Sequence, residues 1–97
     1  MLTGSNLSVK FVFMDISIKF EKRGSTAAIL AVGDDEGVWV SMQKWAPSGR
    51  RLVHRAFTSP IGLAERCVQQ WRENFERLGW TITSEKTATA ESTWRTS

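Results

Sequence analysis

Four cations and a tryptophan fall within the short stretch Lys44 to Arg55, KWAPSGRRLVHR, and no acidic residue stands among them. Lys44, Arg50, Arg51 and Arg55 can neutralise phosphate oxygens while the flat indole of Trp45 stacks on a base. This is the chemistry by which single-stranded nucleic acid is held without its sequence being read. The same residues also suit an ordinary solvated turn, with Trp45 covering the edge of a sheet, since charged turns are common.

Other chemistry is poorly supplied. Asp34, Asp35 and Glu36 stand between Gly33 and Gly37, but they lack the spaced oxygen donors and closing bidentate Glu of a calcium loop. They read as a hairpin turn whose flanking glycines permit positive φ, and contact with a basic partner surface is the functional alternative. One cysteine excludes an intramolecular disulfide, and one cysteine with one histidine cannot make a protein-only zinc site. His54 and Cys67 are the one conceivable nucleophile and base, yet no orienting third group or oxyanion motif accompanies them. Cys67, flanked by apolar helix positions, reads as a small packing residue. The expectation is a non-enzymatic protein with no cofactor and no metal.

The element that must hold these residues in place is a helix from Pro60 to Leu78. Ile61, Ala64, Val68, Trp71, Phe75 and Leu78 recur at steps of three and four, so they form one apolar stripe. Ser59 suits an N-cap, Pro60 the first helical position and Gly79 a left-handed terminator. That stripe needs a sheet to lie on, with Trp80 closing the core behind Gly79.

Strands precede it. Leu7 to Phe20 reads as one strand whose apolar parity changes near Phe13 and Met14, as a bulge would cause. Thr26 to Val32 is a second, with Ala27, Ala28 and Ala31 leaving room for a bulky neighbour. Val38 to Trp45 is a third, with Val38, Val40 and Met42 on one face and Trp39, Ser41, Gln43 and Trp45 on the other. Arg50 to Phe57 is a fourth, and Trp80 to Thr83 returns as a short fifth.

Short turns make consecutive strands antiparallel neighbours, which predicts an α+β fold: an antiparallel four- to five-stranded meander with one long C-terminal helix on one face. Residues 1–83 form the domain, and 84–97, rich in Thr, Ser and Ala without periodicity, read as a flexible polar tail. In that topology the first and third turns share one end of the sheet. Lys22, Arg23, Arg50 and Arg51 then make a basic pole, and Asp34 to Glu36 an acidic one. Trp39 and Trp45 lie on the face away from the helix, uncovered, where bases, a protein or a second copy of the chain could pack.

From Trp39 to Trp80 the order VWVSMQKW, SGRR, Phe57, Ala64 and the closing GW resembles the WGR domain, a nucleic-acid-associated module. Ala46 and Pro47 stand where that family carries the glycine and arginine of its name, so none of its sites transfers here.

The net charge of +3 on 97 residues favours solubility and weakly favours anionic partners. No apolar run nears the roughly 20 residues of a membrane span, and MLTGSNLSVKF has no basic segment leading into a long apolar core. The expected setting is the cytoplasm. The expected function is binding of nucleic acid or a nucleoprotein through Trp39, Trp45, Lys44, Arg50, Arg51 and Arg55, extended by Lys22 and Arg23. A small inhibitor or adaptor that docks on another protein, as accessory proteins of mobile elements do, is the alternative.

Overall fold

Met14, Ile16, Ile18 and Phe20 alternate with polar residues, and in the computed structural model they line one face of the first strand, β1 (Ser8–Lys22). The structure describes the backbone of residues 8–95 and the side chains of residues 13–88. Arg23 and Gly24 both take positive φ, 51° and 81°, the type of tight turn whose twist matches that of a hairpin. They return the chain into β2 (Ser25–Asp34), which pairs antiparallel with β1 from Phe13 to Lys22 without interruption. A second tight turn leads to β3 (Gly37–Trp45), and residues 46–50 lead to β4 (Arg51–Ser59). Helix α1 (Ile61–Arg77) then crosses from the β4 edge to the far side of the sheet, where β5 (Thr81–Arg95) pairs antiparallel with β1. The result is the expected α+β architecture, a five-stranded antiparallel sheet in the order β4-β3-β2-β1-β5 with one helix on one face.

The core is the interface of α1 with β1, β2 and β3. Ala64, Val68 and Phe75 from the helix meet Ile16, Ile18, Phe20, Ala27, Ile29, Ala31, Val38 and Val40, all buried. Ala27 and Ala31 lie on the helix side of β2, so their small side chains let the helix approach. Phe75 stacks on Phe20 at 4.6 Å between ring centroids and meets Trp80 edge-on at 5.4 Å. Trp80 packs against this core as expected, but Leu78 is 57% exposed and belongs to the helix flank.

The largest departure is β5. Residues 84–95 do not form a flexible tail; they continue the edge strand along nearly all of β1. The signal for this is not apolar alternation but β-branching: Thr81, Ile82, Thr83, Thr87, Thr89 and Thr93 favour the extended backbone. A strand beyond the helix's cover has little reason to be apolar. Residues 96–97, the end of that expected tail, lie outside the described residues. Arg72 anchors β5 to the helix, its guanidinium bonded to both carboxylate oxygens of Glu85 and its Nε 3.2 Å from Glu76. These groups are about one-third exposed or more, so screening keeps the link near 0.5–1 kcal/mol.

Three local expectations also change. The bulge lies not at Phe13 and Met14 but between Lys19 and Phe20, where β1 meets β5. Phe13 faces away from the helix at 40% exposure, which explains the mixed parity. Ser59 does not cap the helix: its hydroxyl donates to the Pro60 carbonyl, and Pro60 itself holds the cap position, one residue later than expected. Gly33 and Gly37 do not adopt positive φ; a side chain at Gly33 would instead collide with the Gly37 carbonyl oxygen, 2.2 Å from an added Cβ.

Candidate binding surface

Strand alternation divides the eight residues expected to bind a partner between two sides of the sheet. Trp39 and Trp45 lie on the side away from the helix, called the bare side because no element among the described residues covers it, with Trp39 44% exposed and Trp45 half-buried rather than uncovered. They stand six residues apart along β3, roughly 20 Å at the rise of an extended strand. Trp39 is therefore near the acidic turn and not beside the arginines. Its cross-strand partner is Val32, and with Phe13 on β1 these make an apolar patch at that end.

Trp45 has the basic surroundings. A register shift between β3 and β4 makes Arg51 its cross-strand partner, whereas an unshifted ladder would have set Leu52 there. Cation and indole thus share the bare face. The neighbouring turn is built by Ala46 N–H donating to the Arg50 carbonyl and Gly49 N–H to that of Ala46, each at 2.8 Å, with Gly49 at φ 89°. Arg50 and Arg51 are both exposed.

Lys22 and Arg23 approach from the first turn. A Cβ placed on Gly24 would lie 3.5 Å from Pro47, so the two basic turns lie side by side at one end of the sheet. Arg23 is exposed, whereas Lys22 is engaged within the fold. Its ammonium donates to the Leu78 carbonyl at the helix C-terminus, where a cation complements the negative end of the dipole.

Lys44 and Arg55 go elsewhere. Both lie on the helix side, with the Lys44 ammonium 5.2 Å from the Phe75 ring centroid and 5.7 Å from that of Trp80. The expectation that Arg55 and both tryptophans share one face is corrected by the period of two along β3 and β4. Arg77 and Asn74 line the same recess as Lys44 and Arg55. Neither stands out in the sequence, although Trp71, Asn74 and Arg77 are spaced at three-residue steps on one flank of the helix.

Between the two tryptophans the face is not uniformly exposed. Ser41 is fully buried there, beside Leu30 and Ala56 across the strands, and its hydroxyl has no hydrogen-bond partner among the described residues. At the other pole the Asp34 carboxylate accepts the Glu36 N–H at 2.9 Å, which shapes the acidic turn. His54 pairs with Gln43 and so faces the bare side, while Cys67 sits on the helix, and the sheet separates them. Partial burial pushes the Cys67 thiol pKa above its ordinary value.

No family model matches this chain, and no curated protein and no solved structure matches it either. The WGR resemblance thus gains no support from them. Among the described residues no helix is long and apolar enough to cross a membrane.

Proposed function

We propose that the chain is a non-enzymatic binding module that holds nucleic acid, or a nucleoprotein, at the basic end of its bare sheet face. The observation that carries this reading is the cross-strand pair Trp45 and Arg51, flanked by Arg50 and by Arg23 of the adjoining turn. An indole offers a stacking surface that suits any base, and guanidinium groups beside it neutralise the phosphates on either side. Lys22 shares the helix-side parity of Phe20 and serves the helix end, so it is not counted in this site.

Titration of labelled single- and double-stranded oligonucleotides at low and moderate salt tests this. Single-strand affinity should fall as salt rises, with a log–log slope of about −0.7 per phosphate neutralised. Trp45→Ala and Arg51→Gln should each weaken binding several-fold. Absent affinity, or affinity indifferent to salt, would reject the proposal.

A second reading rests on a different observation. The patch of Phe13, Val32 and Trp39 lies at the acidic pole, where apolar rings bordered by carboxylates suit a protein surface better than a polyanion. A partner protein retained after nuclease treatment, and lost in Trp39→Ala, would favour docking by an adaptor or inhibitor.

A further inference from the structure

Helix α1 packs chiefly on β1 to β3 and meets β4 through Trp71, and a trench of about 410 Å³ runs between the helix flank and the outer strands. Lys44 and Arg55 rise from the strands and Arg77 and Asn74 from the helix, over a floor that includes Met42 and Trp71. Phe57 meets Trp71 edge-on at 5.8 Å, and so steadies the indole from the β4 side. Three cations line the trench, no carboxylate does, and none of the three makes an ion pair among the described residues. Lys44 is held by the faces of Phe75 and Trp80 and not by an acid, so its charge is not cancelled where it stands.

The nearby helix C-terminus does not oppose an anion here as a bare end would. The carbonyls of Asn74, Phe75 and Glu76 accept the N–H groups of Leu78, Trp80 and Gly79, and the Leu78 carbonyl accepts Lys22. The negative end of the dipole is thereby satisfied by its own cap.

We propose that this trench binds a nucleoside phosphate. Arg55, Arg77 and Lys44 take the phosphate, the base lies over the Met42 and Trp71 floor, and the Asn74 amide, with both donor and acceptor, hydrogen-bonds the ring edge. Inorganic phosphate would leave the apolar floor unused, and an uncharged ring would leave the cations unused. The site lies on the helix side and does not rest on the reading of the bare face. The phosphate belongs either to a free nucleotide or to a nucleic-acid strand.

The test is a titration of the uniformly ¹⁵N-labelled full chain, followed by NMR, with adenosine 5′-monophosphate, adenosine, inorganic phosphate and an oligothymidylate. The monophosphate should move the Trp71 indole and Asn74 side-chain signals at concentrations where adenosine and phosphate alone do not. Arg77→Gln and Arg55→Gln should each weaken its binding about five- to tenfold, with spectra that stay dispersed as those of a folded chain. Glu36→Gln, at the acidic turn, should leave it unchanged. Oligothymidylate moving the same signals assigns the phosphate to a strand, and silence from it assigns a free nucleotide. The proposal is overturned if the monophosphate moves nothing up to about 10 mM, a bound of less than about 3 kcal/mol of affinity. It is equally overturned if adenosine binds as well, or if Arg77→Gln has no effect. Loss of oligonucleotide binding in Trp45→Ala alone would bear on the bare face and leave this site standing.

Discussion

The two faces of the sheet are made from the same strands and differ in almost everything else. On the helix side every large apolar residue of β1 from Met14 to Phe20 is buried, whereas on the bare side Phe13, Val32 and Trp39 are each 40% exposed or more. Lys44 and Trp45 are chain neighbours and lie on opposite sides, the one over the core's aromatic rings, the other beside Arg51. Packing and exposure thus follow alternate residues along β1, while on β3 the helix-side Lys44 lines the trench and Ser41 is buried on the opposite side. A substitution of a packed helix-side residue should cost stability, and one of an exposed residue on the other side should cost little.

The strongest attempt to break that division is a matched pair, Phe75→Ala and Trp39→Ala. Phe75 is 3% exposed between Phe20 and Trp80, and its removal leaves a cavity in the packed layer between helix and sheet, for an expected loss of about 3–5 kcal/mol. Trp39 has solvent over much of its ring, so truncation there should cost less than about 1 kcal/mol. Urea unfolding of both variants measures the contrast. Equal losses would mean that the bare face contributes to the core, and the partition of roles would fail.

How much of this can be read from the chain follows from the same parity. The helix is legible because its buried side chains are apolar and regularly spaced, and Gly79, at φ 90°, marks its end. The sidedness of β3 is legible for a similar reason. β5 is not, because an edge strand beyond the helix gains its place through backbone pairing and threonine's extended preference, which leave no apolar rhythm. The candidate surface is legible by residue type and misplaced by geometry. Residue types alone group Arg55 with Trp39, since nothing in composition reports which side of an irregular strand a residue takes. The register shift that brings Arg51 to Trp45 is likewise a property of the turn and ladder together.

A second substitution separates the two roles at a position that belongs to neither face. Arg23 sits at φ 51° in the first hairpin turn, where most side chains carry a conformational penalty that asparagine partly offsets through local hydrogen bonds of its short amide. Arg23→Asn should therefore stabilise the fold by about 0.5–1 kcal/mol. The same change removes a cation from the basic end, so oligonucleotide affinity should drop modestly as stability rises. Thermal unfolding and the salt-dependent titration read the two signs independently. If both move together, Arg23 is structural and the basic end must be drawn without it.

The smallest expected effect probes how well the helix side is sealed. Cys67 is half-buried on α1, and desolvation holds its thiol above the ordinary pKa. The thiolate is the reacting form, so alkylation by iodoacetamide should be slower in the folded chain than in the urea-unfolded chain at the same pH. The difference should hold up to the ordinary thiol pKa and should shrink once the pH passes the raised pKa of the folded state, where both thiols are ionised. The sign for stability follows from proton binding: the folded state keeps the proton more tightly. This contribution is therefore fully present below the unfolded-state pKa and is lost as pH rises through the folded one. Equal alkylation rates would place Cys67 in water, and the helix would then be covering less of the sheet than Val68 and Phe75 imply.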